Sequence, residues 1–396
     1  MKNNRTFLEK LLDGAEVEWK PLIKVASLTR GRVISKEYLA NNLGDYPVYS
    51  SQTVNNGEIG KINSFDFDGE FVSWTTDGAN AGTVFYRSGT FSITNVCGLI
   101  KIQNNLELNY KFLFYWLSIE AKNHVYSGMG NPKLMSHQME KILIPIPPLP
   151  VQTEIVKILD ALTALTSELT SELTLRRKQY EYYREKLLSE EELGKVGFEW
   201  KTLEELVENT QNIRWKNNTK TYRYIDLTSV DRENNNITGT TEINALNAPS
   251  RAQKIVKEND VIFATTRPTQ QRVALISKEF SDEIASTGYC VLRAKTNIVL
   301  PKWLFYFLST INFKNYVEEN QSGSAYPAIS DSKVKEFRIP VPEVTIQQSI
   351  IEKLDKFYSL TNSLLHGLPK EINNRTKQYS YYQKELLNFL GREIYE

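Results

Sequence analysis

Residues 162–188 read LTALTSELTSELTLRRKQYEYYREKLL, and residues 377–387 read KQYSYYQKELL, nearly the same words again. The first stretch holds the tetrapeptide Thr-Ser-Glu-Leu twice in succession. Working outward from this echo shows a tandem duplication. EWKPL at 18–22 matches EWKTL at 199–203, and WTTDG at 74–78 lies opposite ATTRP at 264–268. Cys97 lies opposite Cys290, FLFYWLS at 112–118 matches WLFYFLS at 303–309, and SGMGNP at 127–132 matches SGSAYP at 322–327. Finally, IPIPPLPVQTEIVKILD at 144–160 matches IPVPEVTIQQSIIEKLD at 339–355. The matches are collinear, with offsets drifting from 181 to 199.

Each copy has a mixed part followed by a helical part. In 1–150 and 196–345, short β-type runs such as GTVFY and VIFATT alternate with Gly, Asn and Asp turns, and aromatic-rich helices are expected near 109–123 and 301–320. The helical parts are expected at 151–195 and 346–396, behind stiff Pro-rich lead-ins. Thr345 with Gln348 has the spacing of a capping box. A seven-residue repeat runs through both helical parts. One row is Ile155, Leu162, Leu169, Arg176, Tyr183, and the row four later is Leu159, Thr166, Leu173, Tyr180, Leu187. In the second copy the rows are Leu354, Thr361, Leu368, Arg375, Tyr382 and Ile351, Tyr358, Leu365, Ile372, Tyr379, Leu386. The pattern predicts a helix pair with a coiled-coil seam, the second helix interrupted at HGLPKE, 366–371. A helix of about 39 residues would run ~58 Å, more than a small domain needs. Each tetrapeptide adds about 6 Å and turns the end by only about 40°, the property of a ruler. EKLL at 9–12 precedes the first EWK as EKLL at 185–188 precedes the second, so the N-terminal run reads as a displaced continuation of the last helix. The fold class expected is α+β: two mixed globular domains joined by two long antiparallel coiled-coil helices, with pseudo-two-fold symmetry.

Bulk composition excludes several classes. At 396 residues, 41% apolar and 24% charged, the chain reads as a globular protein of two or three domains. The charged start MKNNRTFLEKLLDG lacks the apolar run of a secretory signal, and no stretch approaches a membrane span. Two cysteines fit a reducing interior and a cytoplasmic location, as small core residues. Three histidines, His124, His137 and His366, have no partner at ligand spacing, so no metal site is expected. No Ser-His-Asp or Cys-His set, nucleophile elbow or P-loop is present. SGMGNP follows a helix rather than a strand, and GNPKL at 130–134 lacks the aromatic seen in amino-methyltransferases. DFDGE at 66–70 reads as a solvated turn rather than a cation site. The chain is therefore expected to bind rather than catalyse.

A net charge of +1 gives no global argument for nucleic acid. Residues 1–150 hold 15 Lys+Arg against 14 Asp+Glu, and 196–345 hold 19 against 18, so any basic face comes from local segregation. Candidates are Arg30, Arg32 and Lys36 in the first copy, and Arg214 and Lys216 in the second. TTRPTQQR supplies Thr265, Thr266, Arg267, Gln270, Gln271 and Arg272. Arg and Gln pair bidentately with guanine and adenine edges, and Thr suits phosphates. The matching TTDGANAG supplies Thr75, Thr76, Asp77 and Asn80. An exposed polar loop accounts for each of these residues equally well. What distinguishes the pattern is a kept Thr-Thr frame around wholly different neighbours, as two readers of different half-sites would have.

These residues resemble the specificity subunits of type I restriction–modification systems. The resemblance covers essentially the whole chain, most specifically IPIPPLPVQTEIVKILD with the tetrapeptide helix, its distal counterpart with GLPKEI, and the opening FLEKLLDGAEVEWKPL. It implies two target-recognition domains reading a split double-stranded DNA target. It also implies a complex with two methyltransferase subunits, and through them ATP-dependent translocase/nuclease subunits. S-adenosylmethionine, ATP and Mg would belong to those partners, with no cofactor in this chain. The helices would set the spacer and dock the methyltransferases, with Leu162, Leu169, Leu173, Tyr180, Tyr183, Leu365, Tyr379 and Tyr382 on or beside the seam. Two other classes stay open. A standalone nuclease or methyltransferase would show activity without partners, and a protein-binding scaffold would lack the steep salt dependence of phosphate contacts.

Overall fold

A computed structural model describes residues 5–128, 130–232, 234–362 and 367–389. The chain divides into two compact units, Met1–Thr166 with Arg375–Glu396, and Ser167–Asn374. The cut falls inside the first Thr-Ser-Glu-Leu, so each half of the long helix Leu149–Leu187 shares a core with one globular part.

In the first unit, six strands lie in the order Ala26–Arg30, Cys97–Ile102, Phe67–Thr75, Val84–Ile93, Leu43–Tyr49, Glu58–Ile62. The pairings are antiparallel except that Leu43–Tyr49 runs parallel to Val84–Ile93. Val72 and Trp74 are buried with the aromatic helix Tyr110–Glu120, whose Asn109 side chain caps Lys111 and Phe112, while the alternate Phe71 packs in a separate cluster with Phe91 and Leu99. DFDGE is not a turn: from Phe67 onward it is the start of a nine-residue strand, and Asp66 is held by Arg32. The run EKLL belongs to its own helix, Phe7–Leu12, closed by a Thr6–Glu9 capping box. That helix lies against the last one, with the Phe7 and Tyr382 rings 6.2 Å apart.

The second unit has shorter strands, divided between two four-stranded sheets. One sheet has the order Val207–Glu208, Tyr289–Ala294, Val261–Ala264, Val273–Leu275; a second has Thr241–Ile243, Tyr222–Ile225, Ile284–Ser286, Ala252–Ile255. The expected aromatic helix is two helices, Pro301–Phe307 and Ile311–Asn320, because Thr310 caps a new start.

Strand pairing corrects the sequence register by one residue. Trp74 pairs with Gly98, whose missing side chain admits the indole; a Cβ there would lie 2.1 Å from the ring. Phe263 pairs with Cys290. A large ring faces a small residue in both, so Cys290 is the counterpart of Gly98, not of Cys97. Both cysteines are buried and unpaired, and burial pushes the Cys290 thiol up to about 12 and that of Cys97 to about 11.

In both units the helices are tied to the globular part in the same way. Lys111 and Tyr115 meet Asp160 at 2.5 and 2.7 Å, and Lys302 and Tyr306 meet Asp355 at 2.6 and 2.6 Å. The Thr345–Gln348 capping box does not form. The helix already runs from Val344, and the Gln348 amide bonds to Glu352. Gly367 opens a new helix after Asn362, while Leu365 and His366 lie outside the described residues. Every described residue of the four seven-residue rows is buried or half-buried, whereas Leu175, off the rows, is 61% exposed. Within the second unit Tyr183 stacks on Phe357 at 5.2 Å and Tyr180 meets Tyr358 at 6.0 Å. Among the described residues no helix is long and apolar enough to cross a membrane.

Candidate nucleic-acid interface

The Thr-Thr run and the Gly/Pro-rich run of each copy, though far apart in sequence, fold into one paired-loop platform. In the first unit Leu134 N–H donates to Thr76 O at 2.9 Å, Gly78 N–H to Pro132 O at 3.0 Å, and Asp77 bridges Lys133. In the second, Ile329 N–H donates to Thr265 O at 2.9 Å, Arg267 N–H to Pro327 O at 2.7 Å, and Thr266 bridges Ala328. Thr76, Asp77 and Gly78 are thus the counterparts of Thr265, Thr266 and Arg267, one position away from the sequence match. The backbone frame is duplicated and the side chains it presents are not.

The buried threonines hold the frame. Thr75 and Thr76 have no exposed surface; Thr75 donates to Asn80 O, and Thr76 donates to the Asp77 carboxylate at 2.6 Å. Thr265 is 6% exposed and donates to Gly288 O at 2.9 Å. A hydroxyl sealed in this way organises the loop and meets no ligand. Asn80 braces the neighbouring loop, donating to Ser51 O at 3.2 Å.

The first unit neutralises two of its three basic candidates locally. Arg30 donates to Asn95 O at 2.6 Å and stands 3.8 Å from Asp77. Arg32 grips both Asp66 oxygens at 3.1 and 2.9 Å, which raises its pKa above the ordinary arginine value, and lies 5.0 Å from the Tyr38 ring centre. Lys36 is exposed on Lys36–Asn41. In the second unit Arg214 and Lys216 are exposed on either side of Trp215, whose indole N–H donates to Ala252 O at 2.9 Å. Arg267 is exposed and its guanidinium lies 5.5 Å from the centre of the Tyr326 ring.

The rest of TTRPTQQR turns inward. Arg272 donates to Leu227 O at 2.6 Å and Val230 O at 2.9 Å, sealing carbonyls the sheet leaves open. Gln270 is half-buried, its N–H bonded to Arg267 O at 3.0 Å. Gln271 lines a cavity of about 200 Å³ with Tyr180, Arg184 and Tyr358. Composition alone did not single out Tyr326, 73% exposed, or Tyr126, 66% exposed. The signal was an aromatic amid the small residues of each Gly/Pro run. Among the described residues no cluster of acidic, His and Cys side chains could hold a metal ion.

A family model described as the type I restriction modification DNA specificity domain matches residues 16–175 and again 195–374. The chain belongs to that family. The type I restriction enzyme EcoR124I/EcoR124II specificity subunit of Escherichia coli is 30% identical over 97% of this chain and 97% of its own length. A chain of Haemophilus influenzae bearing a type I specificity-subunit name is 34% identical over 98% of this chain and 100% of its own. The crystal structure of a type I restriction-modification S subunit from M. genitalium superposes with a TM-score of 0.62 at 16% identity, over 98% of this chain and 97% of that one, and so shares the fold. The two platforms are the corresponding loop pairs of two tandem specificity domains.

Proposed function

We propose that this specificity subunit reads a split DNA target, one half per domain, and itself performs no chemistry. The carrying observation is the duplicated loop platform, whose backbone bonds are kept while Asp77 and Gly78 in one domain become Thr266 and Arg267 in the other. Such a pair fits two different sequences rather than one palindrome. In this reading 1–150 and 196–345 are the two target-recognition domains, and 151–195 and 346–396 are the helices between them. Those helices form an antiparallel coiled coil of pseudo-two-fold symmetry that fixes the spacer. Lys36, Arg214 and Lys216 supply phosphate contacts, while Asp77, Thr266 and Arg267 face base edges. Two methyltransferase subunits carry S-adenosylmethionine, and the ATP- and Mg-dependent restriction subunits join through them, in the cytoplasm.

The test is to express the chain with its methyltransferase partner and map the methylated bases by single-molecule sequencing. A two-part asymmetric motif is expected, and an unbroken or palindromic motif would overturn the reading.

Methyltransferase docking is supported by a duplicated feature outside the seam. Tyr180 is buried and Tyr183 half-buried against Phe357, so neither is fully free to receive a partner. Tyr182 and Tyr381 instead stand 60% and 59% exposed at matching places, each edge-on to the next tyrosine. Replacing both by Ala should lower methyltransferase co-purification at least tenfold, by losing two large amphipathic anchors of ~2 kcal/mol or more each. Co-purification at the parent level would exclude them as anchors.

A further inference from the structure

Arg267 occupies a backbone conformation that its own side chain disfavours, with φ 48° and ψ 54°. A Cβ in this left-handed region crowds the following carbonyl, and the region is sparsely populated outside Gly, Asn and Asp. The first domain meets the same turn without that strain. Gly78, equivalent by its bond to Pro132, has φ +89°, and a Cβ there would meet nothing within 4 Å. The turn therefore asks for glycine, and the second domain holds an arginine instead. Its guanidinium makes no ion pair among the described residues. It rests on a tyrosine that is itself mostly exposed. Strain kept against an unstrained alternative, with the side chain presented outward, marks a residue retained for contact.

We propose that Arg267, braced by the Tyr326 ring, is the guanine-reading residue of the second half-site, and that the first half-site has no equivalent contact because Gly78 stands there. This rests on the DNA-reading function above. A planar guanidinium matches guanine O6 and N7 bidentately in the major groove. The Tyr326 ring, 5.5 Å away at its centre, restricts the guanidinium before DNA arrives.

The experiment maps methylated motifs for the wild-type chain, Arg267→Gly and Arg267→Asn, each expressed with the methyltransferase partner. Both variants suit the left-handed turn, so folding is preserved, and a thermal melt of the purified chain confirms it. One G·C pair in the second half-site is expected to lose its constraint, discrimination there falling about 10- to 100-fold. The first half-site and the spacer should not change. Gly78→Arg is the reciprocal arm, expected to add a constraint in the first half-site only. Unchanged motifs in both Arg267 variants would overturn the assignment. So would uniform weakening on all sequences with a salt slope smaller by about one, the signature of a phosphate contact. Failure of the wild type to give a two-part motif would instead sink the underlying reading, so the two failures are distinct.

Discussion

Deleting Thr170–Leu173 is expected to leave both half-sites unchanged and to shorten the spacer between them by about two base pairs. Four residues remove about 6 Å of helix, against ~3.4 Å of rise per base pair. They also remove slightly more than one turn, so the seam rows rotate by only about 40°. The helix should survive. It is continuous from Leu149 to Leu187, and two of the four residues removed, Thr170 and Ser171, are exposed. The Glu172–Arg176 pair at 2.7 Å is replaced in kind, because the deletion brings the identical Glu168 four residues before Arg176. Inserting a third tetrapeptide should lengthen the spacer by the same amount. Methylated-motif sequencing decides the matter: an unchanged spacer in both variants would mean the helix does not measure distance.

The periodic features of the chain are legible in its sequence. The seven-residue rows reported burial because a helix face is set by spacing alone. The aromatic helices, the break near Gly367 and the tandem plan followed from similarly long signals. What failed was local. The one-residue error in aligning Thr75–Gly78 with Thr265–Pro268 arose because two adjacent threonines match in either register. The facing of Trp74 with Gly98 and of Phe263 with Cys290, together with the loop bonds, fixes it. Thr345 has the letters of a cap, yet the chain turns helical one residue earlier, at Val344. In the polar run Thr265–Arg272, a polar letter does not say which way its side chain points. Arg272 and Thr265 satisfy carbonyls inside, leaving Arg267 and Thr266 to face out or partly out. Composition cannot separate these roles, because buried backbone groups and a ligand ask for the same donors.

A polar letter equally conceals a fully buried clamp, and the largest loss of stability is expected there. Gln347 has no exposed surface. Its carbonyl accepts from Leu300 N–H at 2.9 Å, and its amide donates to Pro342 O at 2.8 Å and Ile298 O at 2.9 Å. Gln152 repeats the clamp in the first unit, taking Asn109 N–H at 2.9 Å and giving to Glu107 O and Pro147 O at 2.8 Å each. One side chain thus stitches the start of a long helix to the loop before the aromatic helix and to the Pro-rich lead-in. Gln347→Leu keeps the volume but strands one donor and two acceptors in the interior. Each buried orphan costs about 1–3 kcal/mol, so a loss on the order of 3–5 kcal/mol is expected after relaxation. Two compact units need not unfold together, which makes hydrogen exchange a better reading than a single melting point. Protection of Pro301–Phe307 and the first turns of Val344–Asn362 should fall, and that of the first unit should not. Gln152→Leu should give the complementary result, and Gln348→Leu, one exposed position along, should leave protection within about 0.5 kcal/mol of the parent. A loss below about 1 kcal/mol at Gln347 would mean that water replaces the amide, and that the helix is held by its apolar face alone.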